Sequence, residues 1–424
     1  MQEILYLLNP HWENKPLPAG LPRQQYLQPL LANLERREVQ LLIGSRRVGK
    51  TTLMFQAIQR LLVEKQVPAN QILYVSLDHL SLTATPIPKI LETFRAEFQH
   101  PRDRRLFIFF DEIQDSPNWA QHVKNIVDFE EVRLCVAGSS SLLLERQGSY
   151  LTGRALRTAV FPLSYPEFLA FKNVVPGPTE PYRHDGLLIE YLYQGGYPEQ
   201  ILSPHPTYLT DLLDAVINKD IVRVHGIKNP QVLNKLLLLL AQRIGQRTSH
   251  SKLKNLLRVS QDVVRDYISH LMETYLIGEV AKFSYSINEQ IYAEKKYYFA
   301  DTGLRTALIG QRDLGGLAEN ALYIHLQKRF REVLYGRANG YEVDFVVLDQ
   351  GQPTVFEAKF TDRVGDEELK PIAKFLEKLP GHDLLSTKIK VTVVTRNLTE
   401  LREYGEMRVE LTPLWQLLLH ERGW

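Results

Sequence analysis

At 424 residues the chain is too long for one ordinary core, which excludes a single small domain and predicts several units. Its 44% hydrophobic and 24% charged residues exclude wholesale disorder, and the lack of any apolar run of eighteen or more residues excludes a membrane-spanning helix. A formal charge of +2, from 51 basic and 49 acidic side chains, excludes a global electrostatic pull toward nucleic acid, so contact with DNA would need a local patch. The single cysteine, Cys135, stands inside the apolar run Val132 to Ala137 and reads as a buried strand thiol. The opening residues lack the basic and apolar pattern of an export signal, and a cytoplasmic location is expected.

Residues 1–22 carry Pro10, Pro16, Pro18 and Pro22 and read as an extended arm. Apolar β-type runs then alternate with amphipathic segments: Val39 to Ile43, Ile72 to Leu77, Leu106 to Phe110, Val132 to Ala137 and Thr158 to Phe161. That alternation predicts a parallel α/β sheet over residues 23–170, buried on both faces. Residues 171–230 turn helical and read as a lid or linker.

Within 231–305, an apolar helix around Leu236 to Leu240 precedes a helix-turn-helix pattern. A short helix, Leu253 to Arg258, leads to one bearing Val264, Ile268, Leu271 and Tyr275, with Ser260 as its N-cap. Two strand-like runs, Gly278 to Tyr285 and Ile291 to Phe299, would form a wing with a polar tip at Ser286 to Gln290. Residues 306–424 read as a second, separate α/β unit. Its helices are expected at Ala318 to Arg329 and Glu367 to Leu379, and its strands at Tyr341 to Leu348, Thr354 to Phe360 and Lys390 to Thr395.

The octet Gly44, Ser45, Arg46, Arg47, Val48, Gly49, Lys50 and Thr51 fits G-x-x-x-x-G-K-[ST], between a strand and the helix that opens at Thr52. Glycines let such a loop curl so that backbone N–H groups face phosphates; Lys50 would reach the β and γ oxygens and Thr51 would supply an oxygen to Mg²⁺. The strand Leu106 to Phe110 delivers Asp111 and Glu112 at its C-terminal end, where open parallel sheets bind ligands. Asp111 is expected to hold Mg²⁺ and Glu112 to orient or deprotonate the attacking water. No guanine-reading Asn/Thr-Lys-x-Asp stands in place, so ATP is expected rather than GTP. A later strand ends in Gly138, Ser139, Ser140 and Ser141; Ser139 is the candidate contact to the γ-phosphate or the water, and a serine N-cap would use the same residues. Arg154 and Arg157 offer guanidinium groups for transition-state charge, in their own subunit or a neighbouring one, or for surface ion pairing. A neighbouring-subunit role would require a homo-oligomer.

In this order the residues resemble prokaryotic AAA-like ATPases in which a P-loop domain is followed by a winged helix and a restriction-endonuclease-like domain. The resemblance spans nearly the whole chain. It rests on Gly44 to Thr52, Phe110 to Gln114, Ala137 to Ser141, Gly153 and Arg154 with Phe161 to Ser164 and Glu167 to Leu169, Asp220 and Ile221, Lys296 to Asp301, and Glu342 to Phe345 with Glu357 to Lys359. It implies an α/β multidomain protein: an AAA-like P-loop sheet with the sensor strand between the two Walker strands, a helical lid plus winged helix, and a C-terminal PD-(D/E)xK nuclease-like domain. There Asp344, Glu357 and Lys359 would form a metal-dependent site, with Glu319 as a further ligand and a second Mg²⁺ or Mn²⁺ as its ion. A cross-strand ion pair on a half-buried sheet would use Glu357 and Lys359 equally well.

Two functions follow. One is an ATP-driven DNA-processing enzyme; the other is a regulatory ATPase whose later domains are structural or binding modules. From Arg247 to Ala300 the basic side chains exceed the acidic ones by only two, less than a dedicated DNA reader carries.

Overall fold

Aliphatic and aromatic side chains dominate four strands in the first part of the chain, β1 Val39–Ile43, β2 Ile72–Ser76, β3 Leu106–Asp111 and β4 Val132–Gly138, and a fifth, β5 Ala155–Ala159, starts three residues before the run expected at Thr158 and is only partly buried. All pair in parallel, in the order β2-β3-β4-β1-β5. Every residue of β3 and β4 is buried, as a parallel sheet covered on both faces requires. Cys135 is fully buried in β4. On one face, Leu41, Leu73, Val75, Ile108, Phe110, Leu134 and Val136 pack with Ile87, Ile90, Phe94, Trp119 and Val123 from two flanking helices.

The computed structural model describes residues 1–83, 85–139, 151–177, 180–338, 340–349, 351–377 and 389–420. It comprises two units, Met1–Phe161 with Glu273–Tyr275, and Pro162–Met272 with Leu276–Trp424. Among the described residues no helix is long and apolar enough to cross a membrane.

The extended arm expected over residues 1–22 is not what forms at its start. Gln2–Leu8 is an α-helix and Pro10–Glu13 a 3₁₀ turn, with Pro10 at its opening, where a missing N–H costs nothing. Leu5 is buried in the sheet core, with Ile4, Leu8 and Trp12 packed against it. Asn9 explains why the segment is ordered. Its Nδ2 donates to Tyr74 O at 2.8 Å and its Oδ1 accepts from Tyr74 N at 2.7 Å, so one side-chain amide pairs with the free rim of edge strand β2. Trp12 Nε1 donates to Ile72 O on the same rim at 2.9 Å. An edge strand left open is a template for unwanted pairing, and this segment closes it.

The second unit holds β6 Ile277–Lys282, β7 Lys296–Phe299, β8 Leu334–Ala338, β9 Tyr341–Asp349, β10 Gln352–Ala358, β11 Lys390–Thr395, β12 Glu400–Tyr404 and β13 Met407–Pro413. They form one mixed sheet, ordered β12-β13-β11-β10-β9-β8-β6-β7. The C-terminal α/β part is therefore not separate from the expected wing. β6 pairs with β7 on one side and, through Ala281 and Lys282, with Leu334 and Tyr335 of β8 on the other. The tip also differs from a polar turn: Ile287–Tyr292 is helical, started by Ser286, whose hydroxyl accepts from Glu289 N. The helix pair preceding it has helices His250–Leu257 and Gln261–Glu273, with the Ser260 hydroxyl accepting from Val263 N at 3.3 Å; Tyr275, expected on the second helix, lies beyond its end at φ 57°. Edge strand β7 is closed as β2 is: Asn320, on helix Leu314–Arg329, accepts from Phe299 N at 2.8 Å and donates to Phe299 O at 2.7 Å.

Candidate functional site

Parallel register brings the C-terminal ends of three strands to one edge of the first sheet. Ile43 of β1 pairs with Gly138 of β4, and Phe110 of β3 pairs with Val136 of β4. The Gly44 loop, Glu112 and Ser139 therefore leave the sheet side by side, and β4 lies between the strands carrying Lys50's loop and Asp111.

Two residues show why the loop is glycine-rich. At Gly44 a Cβ would stand 2.2 Å from Val160 O, and Gly49, immediately before helix Lys50–Val63, has φ 97°. Arg47 takes a left-handed conformation with φ 62°, Arg46 is half-buried, and Ser45 and Val48 are buried. The Lys50 ammonium folds back to donate to Gly44 O at 2.9 Å and Ser45 O at 2.8 Å. Thr52 follows in the first helical turn, half-buried. A brace with no local sequence signal supports the loop: buried Arg23 donates through Nη1 to Val48 O and to Phe161 O, both at 2.9 Å.

Thr51 Oγ1 donates to Asp111 Oδ2 at 2.5 Å, and Tyr74 OH donates to the same oxygen at 3.2 Å. Asp111 is only 2% exposed. Burial raises its carboxyl above the ordinary range, the neighbouring Glu112 adds to this, and Thr51 and Lys50 oppose it. A buried carboxylate beside a hydroxyl is a hard oxygen pair whose charge a cation would offset, so Thr51 and Asp111 fit Mg²⁺.

Glu112 sits at φ 48°, a left-handed position after β3 that turns its side chain out of the strand. Gln114 donates through Nε2 to Glu112 Oε2 at 2.5 Å and to Ser139 Oγ at 3.4 Å, linking the two strand ends. Ser140 and Ser141 lie outside the described residues.

Of the roles open to Arg154, the structure shows the surface ion pair. Arg154 O accepts from Val39 N at 2.7 Å, so the residue lies beside the start of β1, whereas the Gly44 loop follows its end. Five residues of strand, roughly 16 Å, separate them. Its side chain pairs with Asp128 at 3.2 Å. This placement is incompatible with Arg154 reaching the phosphates of its own loop.

In the second unit Asp344 on β9, Glu357 on β10 and Lys359 just after β10 do converge. Asp344 N donates to Glu357 Oε2 at 2.9 Å, Ala358 N donates to Asp344 Oδ2 at 3.0 Å, and Lys359 Nζ meets Glu357 Oε1 at 2.6 Å. Glu319 reaches the same region from helix Leu314–Arg329, accepting from Tyr298 OH at 2.5 Å. Burial raises the carboxyls of Glu319 and Glu357, with Asp344 adding to both, and the nearby lysines oppose this.

The cluster also holds a residue that the metal-site expectation leaves out: the buried Lys296 ammonium lies 3.2 Å from Asp344 Oδ1, 3.1 Å from Glu342 Oε1 and 3.7 Å from Glu319 Oε1. Among Glu319, Glu342 and Asp344 the position a cation would take is held by this ammonium. The expected second Mg²⁺ or Mn²⁺ thus does not fit the donor set as it stands. Lys296 was visible in the Lys296 to Asp301 motif, but only the fold shows where its side chain goes. Asp301 of that motif is a buried helix cap, accepting from Gly196 N at 2.6 Å and Gly303 N at 2.9 Å.

On helix Gln261–Glu273 the exposed Arg265 faces Asp262 at 3.0 Å and Asp266 at 3.7 Å. Arg258 is exposed, in the left-handed cap of the preceding helix.

Residues 36–169 match the AAA domain family. Residues 185–315 match a domain of unknown function, DUF8612. An uncharacterised protein of Haemophilus influenzae is 26% identical over 339 residues, covering 77% of this chain and 84% of its own. An uncharacterised protein of Methanocaldococcus jannaschii is 26% identical over 404 residues, covering 89% and 88%. Among solved structures, the Aeropyrum pernix ORC2 protein with ADPNP and ADP has a TM-score of 0.43 at 14% identity, over 73% of this chain and 96% of that one. The Aeropyrum pernix ORC1 protein in complex with DNA has a TM-score of 0.34 at 15% identity, over 69% and 93%. Likeness this distant transfers no role to the chain.

Proposed function

We propose that the protein is an ATP-hydrolysing AAA-type ATPase acting as a nucleotide-driven switch, with its later modules serving structural or binding roles. The observation that carries this reading is the Thr51–Asp111 pair beside Lys50, with Glu112 and Ser139 leaving adjacent strands and joined by Gln114. Backbone N–H groups from Gly44 to Thr52 would bind the phosphates of ATP and Lys50 would meet the β and γ oxygens. Thr51 and Asp111 would hold Mg²⁺, which when bound supplies positive charge against the phosphates. Glu112 orients the attacking water and accepts its proton, with Gln114 fixing the carboxylate and Ser139 contacting the γ-phosphate or the water. Any arginine-finger role for Arg154 requires a neighbouring copy, so it implies a homo-oligomer.

The neutralised exposed face of helix Gln261–Glu273 favours the regulatory reading over a DNA reader. One observation favours the second reading, DNA binding or processing through a winged helix and a nuclease-like domain: Asp344, Glu357 and Lys359 meet as the D…E-x-K pattern requires. ATP turnover of the full chain with Mg²⁺, measured alone and with single- and double-stranded DNA, tests both. Turnover that DNA leaves unchanged fits the switch, stimulation by DNA favours the second reading, and no turnover with or without DNA overturns the ATPase assignment.

A further inference from the structure

The four carboxylates of this cluster, Glu319, Glu342, Asp344 and Glu357, already face the protein's own cations and backbone. Asp344 uses Oδ2 for Ala358 N and Oδ1 for Lys296. Glu357 uses Oε2 for Asp344 N and Oε1 for Lys359. Glu342 turns Oε1 to Lys296 at 3.1 Å and Oε2 to Arg247 at 2.6 Å, and Glu319 shares Oε1 between Tyr298 OH and Lys296. A divalent ion needs several of these oxygens at about 2.0–2.6 Å from one point. Here the point among Glu319, Glu342 and Asp344 is taken by an ammonium group.

Lys296 is held there by backbone as well as charge. It lies in β7 opposite Val280 of β6, and Asn320 pins the same strand three residues on at Phe299. Its side chain is 2% exposed. Burying an ammonium without counter-charges costs several kcal/mol, so a lysine is tolerated at such a position only because the carboxylates surround it. An apolar residue there would leave those carboxylates uncompensated, and so would open the place to a cation from solution.

We propose that Lys296 is a resident cation of this cluster, occupying the place of a divalent metal among Glu319, Glu342 and Asp344 and closing the second unit to metal ions. The lysine makes the site a fixed, charge-paired part of the fold and not a centre for metal-dependent phosphodiester cleavage. The inference does not rest on the ATPase reading.

The test counts Mn²⁺ bound to the nucleotide-free full chain, by the loss of the free-ion signal in electron paramagnetic resonance. Wild type, Lys296→Arg, Lys296→Gln, Lys296→Gln/Asp344→Asn and Asp344→Asn are compared, with unfolding curves recorded for each. Lys296→Gln should gain one Mn²⁺ site that the wild type lacks. This site should vanish in the double variant, and Lys296→Arg should match the wild type. A folded Lys296→Gln chain that gains no site overturns the proposal. So does a wild-type Mn²⁺ site that Asp344→Asn removes, a comparison that decides the matter even where Lys296→Gln fails to fold.

Discussion

Gln114 Nε2 donates to Glu112 Oε2 at 2.5 Å, and the same amide reaches Ser139 Oγ at 3.4 Å. A carboxylate at a left-handed turn has freedom to swing, and this amide holds it toward the neighbouring strand end. Gln114 is in this reading a positioning residue, and Glu112 the group that meets the water.

Lys50→Ala and Glu112→Gln should separate binding from chemistry. Losing the Lys50 ammonium removes charge-assisted bonds to phosphate and should weaken ATP binding by roughly 100-fold. Glu112→Gln should keep ATP affinity and lower kcat by roughly 10²- to 10⁴-fold, as loss of a general base does. Nucleotide titration beside steady-state turnover measures both. Wild-type turnover in Glu112→Gln would refute its assigned role.

For Gln114→Ala the expected signature is a split between constants. kcat should fall by roughly 10- to 100-fold through a misplaced carboxylate while KM for ATP holds, because the Gln114 amide donates to Glu112 and Ser139 and not to the Gly44 to Thr52 loop that carries most of the nucleotide binding. A rise in KM with kcat unchanged would assign Gln114 to binding instead.

Asn9→Ala should destabilise the first unit by roughly 2–4 kcal/mol, since it leaves a buried strand N–H and C=O at Tyr74 without partners. Urea unfolding of the full chain gives the value. A change below about 0.5 kcal/mol would mean that the rim of β2 is satisfied some other way.

His325 supplies a pH dependence. Burial, with Arg329 and Lys328 nearby, lowers its imidazole from 6.5 to about 3, and Arg329 Nη1 lies 3.2 Å from its Nε2. Below pH 6.5 the unfolded chain takes up a proton that the folded chain refuses, so this contribution is full above pH 6.5 and is lost as pH falls toward 3. His325→Asn should flatten the fall in stability across that window, by at most about 1.4 kcal/mol per pH unit. Parallel urea-midpoint curves for the two proteins would exclude His325 as a source.

Arg265→Ala tests the helix pair. With Asp262 and Asp266 already on its guanidinium, its removal should leave affinity for double-stranded DNA and its salt dependence unchanged. A salt slope reduced by about one would mean a phosphate contact and would revive the DNA-reading role.

Much of the first unit was legible from local chemistry. Its apolar strands are buried on both faces, so they read as continuous runs; the loop glycines are demanded by backbone geometry; Asp111 and Glu112 follow a strand end. Such features depend on neighbours in sequence. What depended on distant partners was not legible. Proline and polar content made the first 22 residues look extended, yet Leu5, Asn9 and Trp12 are ordered against β2, sixty or more residues away. Arg154 stood in a plausible motif, and only strand register put it beside the wrong end of β1. The wing and the C-terminal part looked separate because β6–β8 pairing joins Ala281 to Leu334, 53 residues further along the chain. Asp344, Glu357 and Lys359 were expected as a set through the resemblance to PD-(D/E)xK nucleases, while their spacing alone fitted a cross-strand ion pair equally well. Whether a metal or a lysine answers their charge was decided by tertiary structure alone, since Lys296 comes from another strand and a side chain's counter-ion depends on what folding brings within a few ångströms.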